Sequence, residues 1–187
     1  MKRGIKLLIL VLVLAALGGG YMLLSKSGAE EEPEGPVVYE DGSYELFSIP
    51  TGDIDCISWT CTECEGEFAF KNLGEIWTYI PQPELNLDND YMNTLGGLFA
   101  RFNVFREMEM PENPADYGLD KPFVTVKILK TDGHEVTICF GDVTSVAGRR
   151  YCTVGDGKVY TVSSSVASMF NYDLGSLVNL ASGTDSE

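Results

Sequence analysis

One histidine, His134, serves the whole chain of 187 residues. It follows the turn pair Asp132-Gly133, a place where a side chain is solvated. No second histidine, no G-x-S-x-G nucleophile elbow and no phosphate-binding glycine loop is present. Hydrolase chemistry of the serine or cysteine kind therefore lacks its base. Basic residues are scarce as well: 13 Lys and Arg stand against 28 Asp and Glu, for a formal charge of −15. Nucleic acid and anionic headgroups need Lys and Arg to displace their counterions, so neither is an expected partner. Solubility is the simplest account of the acidity; a cationic partner and loosely held divalent ions are the others.

Charge is missing altogether from one stretch. Leu7 to Leu24 holds no charged residue and follows Lys2, Arg3 and Lys6. A run of about 20 apolar residues matches the ~30 Å thickness of a bilayer's hydrocarbon core. The pattern predicts a transmembrane anchor over residues 5–24, including Leu7, Leu8, Ile9, Leu10, Val11, Leu12, Val13 and Leu14. Residues 1–4 then form a cytoplasmic tail, because flanking basic residues stay inside. The rival is a cleaved secretory signal, with small residues for cleavage at Ala16-Leu17-Gly18. The renewed apolar run at Tyr21-Met22-Leu23-Leu24 favours the uncleaved anchor, and no cysteine directly follows it to carry a lipid. Either alternative puts residues 25–187 outside the cytoplasm.

Apolar periodicity is also absent from residues 25–40 (SKSGAEEEPEGPVVYE), which read as an acidic flexible stalk. Residues 176–187 are a C-terminal segment ending in a disordered tail, Ala181 to Glu187. Residues 41–175 remain, about 135 in number, enough for one extracytoplasmic domain with one core.

Within that domain short strands dominate. Asp55 to Cys61, Glu67 to Lys71 and Ile76 to Ile80 are β-type runs, the last stopped by Pro81 and Pro83. Asn86 to Asp90 offers a helix cap, after which Tyr91, Leu95, Leu98, Phe99 and Phe102 recur at helical spacing, so an amphipathic helix is expected over Asp90 to Phe102. Phe123 to Asp142 reads as a hairpin whose register can be derived. A three-residue loop with Gly133 left-handed pairs 128 with 136, 126 with 138 and 124 with 140, all apolar; a two-residue turn mixes the faces. Strands at Arg150 to Val154 and Lys158 to Val162 follow, and Ser163 or Ser164 caps a short helix through Val166 and Phe170. The expected fold class is α+β: a mostly antiparallel sheet with one packed amphipathic helix and a short C-terminal helix, behind an N-terminal transmembrane helix.

One succession of residues is familiar. Asp116-Tyr117-Gly118-Leu119-Asp120-Lys121-Pro122 precedes an alternating strand that ends in Phe140-Gly141-Asp142; a strand with Tyr151 and then Lys158-Val159-Tyr160-Thr161-Val162 follow. This resembles the bacterial family called domain of unknown function 4340. Ile54 to Trp59, Phe70-Lys71 and Trp77 fit the same family, so the resemblance spans about residues 54–175 in one copy. It implies a membrane-anchored envelope protein, some members accompanying transporter components, and supplies no catalytic residues. Read physically, Gly118 permits a tight turn, Pro122 opens a strand and Trp77 is a core anchor.

The five cysteines are the remaining candidate chemistry. Cys56, Cys61 and Cys64 have the C-x4-C-x2-C spacing of an iron–sulfur site, with Cys139 or Cys152 as fourth ligand. The β-prone Ile57-Ser58-Trp59-Thr60 between them argues against it, since Cys56 and Cys61 face opposite ways on an unbroken strand. Disulfides suit an oxidising compartment: Cys139 with Cys152 is the candidate pair on neighbouring strands, and Cys61 with Cys64 brackets a turn. The alternative is that all five are reduced, small apolar residues. Asn86-x-Asp88-x-Asp90 begins like a calcium loop, but Tyr91 and Gly97 replace the Gly and Glu it needs, and a helix cap explains it better. No cofactor or metal is expected.

These residues point first to a non-catalytic, membrane-tethered module that binds or positions a cell-envelope partner. The alternative is an accessory subunit of a membrane transporter complex, Gly18-Gly19-Gly20 allowing close helix approach. A carboxylate-dependent enzyme ranks third, its acidic residues being spread over stalk, turns and tail. Nothing in the residues specifies an oligomeric state.

Overall fold

A computed structural model describes residues 36–178 apart from 65, 75, 172 and 173. The expected anchor at residues 5–24, most of the stalk and the tail lie outside the described residues. Among the described residues no helix is long and apolar enough to cross a membrane. All of the architecture below belongs to the unit that begins at Val37.

The hairpin sits near the middle of the sheet. β7 (Val124–Lys130) and β8 (Glu135–Val143) pair Val124 with Phe140, Val126 with Ile138 and Ile128 with Val136, the register derived above. The Lys130 N–H donates to the His134 carbonyl at 2.8 Å, leaving Thr131, Asp132 and Gly133 as the loop, with Gly133 at φ +85°. β2 (Ile54–Cys61) joins the other side of β7, setting Trp59 against Val126 and Ile57 against Ile128. β3 (Glu67–Asn72) and β4 (Trp77–Tyr79) continue outward to that edge. On the opposite side β8 pairs with β9 (Arg149–Thr153), then β10 (Lys158–Ser163), then β6 (Arg106–Glu109). The order β4-β3-β2-β7-β8-β9-β10-β6 is antiparallel at each pairing, so the fold is α+β with a mostly antiparallel sheet.

Alternation gives this sheet one strongly apolar face. Ile57, Trp59, Phe70, Val126, Ile138 and Phe140 are buried along it. α1 (Asn89–Gly97) covers part of that face, with Asp88 Oδ1 accepting from the Tyr91 N–H at 3.0 Å as its cap. Met92, Leu95 and Phe99 are fully buried, and Trp77 is buried to 1% exposure with its Nε1–H donating to Asn93 Oδ1. The expected helix to Phe102 ends earlier: α1 stops at Gly97 and Leu98–Arg101 tighten into a 3₁₀ turn. Two successive glycines remove helix propensity there. Gly96 packs closely there: a Cβ on it would sit 3.1 Å from the Trp77 ring and 3.2 Å from Thr51 Cγ2.

Phe102 then enters β5 (Phe102–Val104), which pairs with β1 (Tyr44–Phe47) as a separate two-stranded ribbon. Near the C-terminal end, α2 (Ser164–Ser168) delivers Phe170 to the centre of an aromatic cluster. Its ring lies 5.4 Å from Trp59, 6.0 Å from Phe99 and 6.5 Å from Phe140, centroid to centroid. Burying each such side chain is worth roughly 1.5–3 kcal/mol. Leu177 is buried, and Val178 bridges Leu87.

Since β10, β9 and β8 separate β6 from β7, the connection from Met110 to Phe123 crosses those strands on the sheet's second face. Tyr117 stacks on Tyr151 there, ring centroids 4.2 Å apart. The two fragments that carried the family resemblance, Asp116 to Pro122 and Phe140 to Asp142, meet at this crossing. A Cβ on Gly141 would overlap the Tyr117 carbonyl oxygen, and one on Gly118 would lie 2.5 Å from Asp142 Cγ.

Candidate functional site

A groove of about 380 Å³ opens between the β1–β5 ribbon, the end of α1 and the junction of β10 with α2. Its rim begins in a tight turn before β1. Gly42, at φ +81°, lets the Gly42 N–H reach the Tyr39 carbonyl, while Asp41 Oδ1 accepts from the Ser43 N–H at 2.9 Å and the Ser43 hydroxyl at 2.6 Å. The Ser43 hydroxyl and N–H hold the Asp41 carboxyl below the ordinary carboxylate range. Asp41 is therefore an anion fixed in one orientation at neutral pH.

Arg101, at the end of the 3₁₀ turn, also lines the groove. Its Nε is 3.7 Å from Glu45 Oε2, and its guanidinium lies 5.8 Å from the Tyr39 ring centre. Ribbon register places Glu45 opposite Asn103, whose side chain alternates away from buried Phe102 and Val104 and lines the groove. Asn103 Oδ1 is closed to solvent and has no hydrogen-bond partner among the described residues. Leu98, Phe105 and Val166 supply apolar wall, and the Arg149 guanidinium lies 4.0 Å over the Phe105 ring. The Ser163 hydroxyl, also on the wall, is 2.7 Å from that of Ser165. The concavity is thus lined by a carboxylate held in place, an exposed guanidinium and an apolar side.

The cysteines fall elsewhere. Cys61 and Cys64 form a disulfide, Cα atoms 5.0 Å apart, at the turn between β2 and β3. The Cys61 sulfur lies 3.3 Å from Asn171 Oδ1, and the Asn171 amide donates to Glu63, so the bridged turn sits against the segment following Phe170. The bridge removes both cysteines from the C-x4-C-x2-C set. Cys56, Cys139 and Cys152 are free. The candidate pair Cys139–Cys152 is thus corrected, and register explains why. Cys139 is opposite Thr153 and Cys152 opposite Phe140, so the two thiols point to opposite faces of neighbouring strands. Cys152 is wholly buried, and burial pushes its thiol far above the ordinary range. Cys56 is half-buried and its thiol is also raised, chiefly by burial and then by Asp55.

The remaining sequence candidates have structural duties. His134 is 80% exposed, its Nδ1 3.2 Å from Asp132 Oδ1. Asp88 caps α1, and Asn89 Oδ1 accepts from the Trp77 N–H at 2.6 Å, tying the helix start to β4. The anchor residues Leu7, Leu8, Ile9, Leu10, Val11, Leu12, Val13 and Leu14 lie outside the described residues. Sequence reasoning missed the groove: Asp41, Arg101 and Asn103 share no motif, and the pairing of β1 with β5 brings their segments together.

No curated protein and no solved structure matches this chain. A family model does, over residues 77–180, which takes in Trp77, the Asp116 to Pro122 crossing and Phe140 to Asp142 but leaves Ile54 to Trp59 and Phe70-Lys71 outside. With more than half of its length matched, the chain belongs to the family described as domain of unknown function (DUF4340).

Proposed function

We propose that this protein is a non-catalytic module, tethered to the cell membrane by residues 5–24, that binds or positions a cell-envelope partner outside the cytoplasm. The observation that carries the reading is the Cys61–Cys64 disulfide, because such bonds persist in oxidising, extracytoplasmic compartments. It agrees with the topology expected of Lys2, Arg3 and Lys6 ahead of an uncharged run. Asp41 and Asp132, both exposed, are held below the ordinary carboxylate range, which suits neither to the role of general acid.

A second reading, an accessory subunit of a membrane transporter complex, draws on Gly18-Gly19-Gly20 in the apolar run. An anchor exchange separates the two. Replacing residues 5–24 with an unrelated transmembrane helix leaves in-cell crosslinks to the envelope partner intact under the first reading. Loss of those crosslinks, with transporter subunits recovered only by the native anchor, establishes the second.

A further inference from the structure

We infer that Cys61 and Cys64 form a reversible redox pair, a thiol–disulfide exchange site that a dithiol opens while the domain stays folded. The inference goes beyond tethering and partner binding, since it concerns the pair's chemistry and not the compartment around it. Only Thr62 and Glu63 separate the two cysteines. A cross-link across so short a loop constrains the unfolded chain least, so opening it takes little from the fold. Backbone bonds hold the turn instead. The Cys64 N–H donates to the Cys61 carbonyl at 3.3 Å, and the Thr62 N–H donates to the Phe123 carbonyl at 3.0 Å. Neither bond involves sulfur, so the two side chains stay adjacent after the S–S bond breaks, and re-closure is an intramolecular step.

The surroundings suit both oxidation states. Both cysteines are half-buried and the residues between them are exposed, which leaves the bridge open to an external thiol. Each sulfur also faces an oxygen: Cys61 Sγ lies 3.3 Å from Asn171 Oδ1, and Cys64 Sγ lies 4.0 Å from the Phe170 carbonyl. The Asn171 amide donates to Glu63 Oε2 at 2.9 Å, which turns Oδ1 towards Cys61. A disulfide has no hydrogen to give these acceptors, whereas two thiols do. The weak S–H···O bonds gained on reduction favour the dithiol form. Residues 60–67 hold Glu63, Glu65 and Glu67 and no Lys or Arg, so the loop lacks the cation that would make this pair attack other disulfides. The pair is the substrate of exchange. One thiolate of the dithiol bonds to one sulfur; the Cys61–Cys64 bond breaks, and its electron pair leaves on the other sulfur, which takes a proton. The second thiol then attacks the mixed disulfide and the remaining cysteine leaves, also protonated. The protein gains two electrons and two protons, and the dithiol closes as its own disulfide.

The test equilibrates the full chain, in detergent, with reduced and oxidised dithiothreitol over a series of ratios. Acid quenching, alkylation and peptide mapping read the open fraction, and circular dichroism on heating reads the fold. The bridge should be half open while the oxidised reagent is in about tenfold excess or more, and should re-form when the reduced reagent is removed. The open form should melt cooperatively. Asn171→Ala should shift the open-to-closed ratio about threefold towards the disulfide, the scale of one weak S–H···O bond, and Lys127→Ala on the sheet's second face should leave it unmoved. A bridge that opens only in urea, or only with reduced reagent in excess, overturns the inference. An unchanged ratio in folded Asn171→Ala, or loss of cooperative melting on reduction, overturns it equally. If Asn171→Ala does not fold, the wild-type ratio and melting decide. An exported domain whose bridge resists the dithiol sinks this inference alone; a reducible pair in a cytosolic domain sinks the tethered-module reading alone.

Discussion

The Asp142 side chain fills the space a Cβ on Gly118 would occupy: that atom would lie 2.5 Å from Asp142 Cγ. Gly118 is also left-handed, at φ +67°, where it ends the 3₁₀ turn Pro114–Tyr117. Position 118 thus carries two separate demands for glycine. Gly42 has only one, with φ +81° and nothing within 4 Å of its Cβ position. Gly42→Ala should cost about 1 kcal/mol from backbone strain alone. Gly118→Ala should cost roughly 1–3 kcal/mol more, because the crossing segment must lift from β8. Urea unfolding of the two variants measures the difference, and equal losses would mean that the contact carries no energy.

Loss of the Cys61–Cys64 bridge should lower stability by about 2 kcal/mol, the chain-entropy value for a loop of about four residues. Peptide mapping without reduction should recover Cys61 joined to Cys64. Cys56 and Cys139 should alkylate in the folded protein and Cys152 only after unfolding, because it is wholly buried. A Cys139–Cys152 peptide would contradict the β8–β9 register.

Phe170→Ala should cost about 3–5 kcal/mol, as expected for a large core cavity. The ring touches Trp59, Phe99 and Phe140, which come from β2, the 3₁₀ turn after α1, and β8. A loss under 1 kcal/mol would show that the segment after α2 is not part of the cooperative core.

Asp132 sets part of the acid limb. Its carboxylate accepts from Lys130 Nζ at 2.7 Å and from the His134 N–H at 3.0 Å, and these bonds hold its pKa below the ordinary range, the lysine foremost. A lowered folded pKa gives stability that is fully present above the unfolded value, near 4, and is lost as pH falls through the folded one. Asp132→Asn should therefore lose stability at pH 7 and show a shallower decline from pH 4 downward. An acid limb with unchanged slope would exclude the contribution.

The β7–β8 hairpin was legible residue by residue because strict alternation allows one register that keeps three apolar pairs together. Trp77, the Asp88 cap and the exposed His134 were legible for similar local reasons. β1, β5 and β6 were not: each is three or four residues long, and β6 reads Arg-Glu-Met-Glu, charged at a sheet edge. The 3₁₀ ending of α1 was hidden because Leu98, Phe99 and Phe102 keep helical spacing while Gly96-Gly97 break the helix beneath them. Both cysteine pairings were visible in the chain; only the opposed faces of Cys139 and Cys152 decide between them. The groove was out of reach, since Asp41, Arg101 and Asn103 meet through a pairing of two very short strands.

The most direct test of the tethered-module account is a reporter fused after Glu187 that becomes active only when its own cysteines oxidise. The account predicts an active reporter that stays with the membrane fraction and is reached by protease added outside the membrane. An inactive reporter, with a fluorescent fusion bright in the cytosol and shielded from that protease, would contradict it.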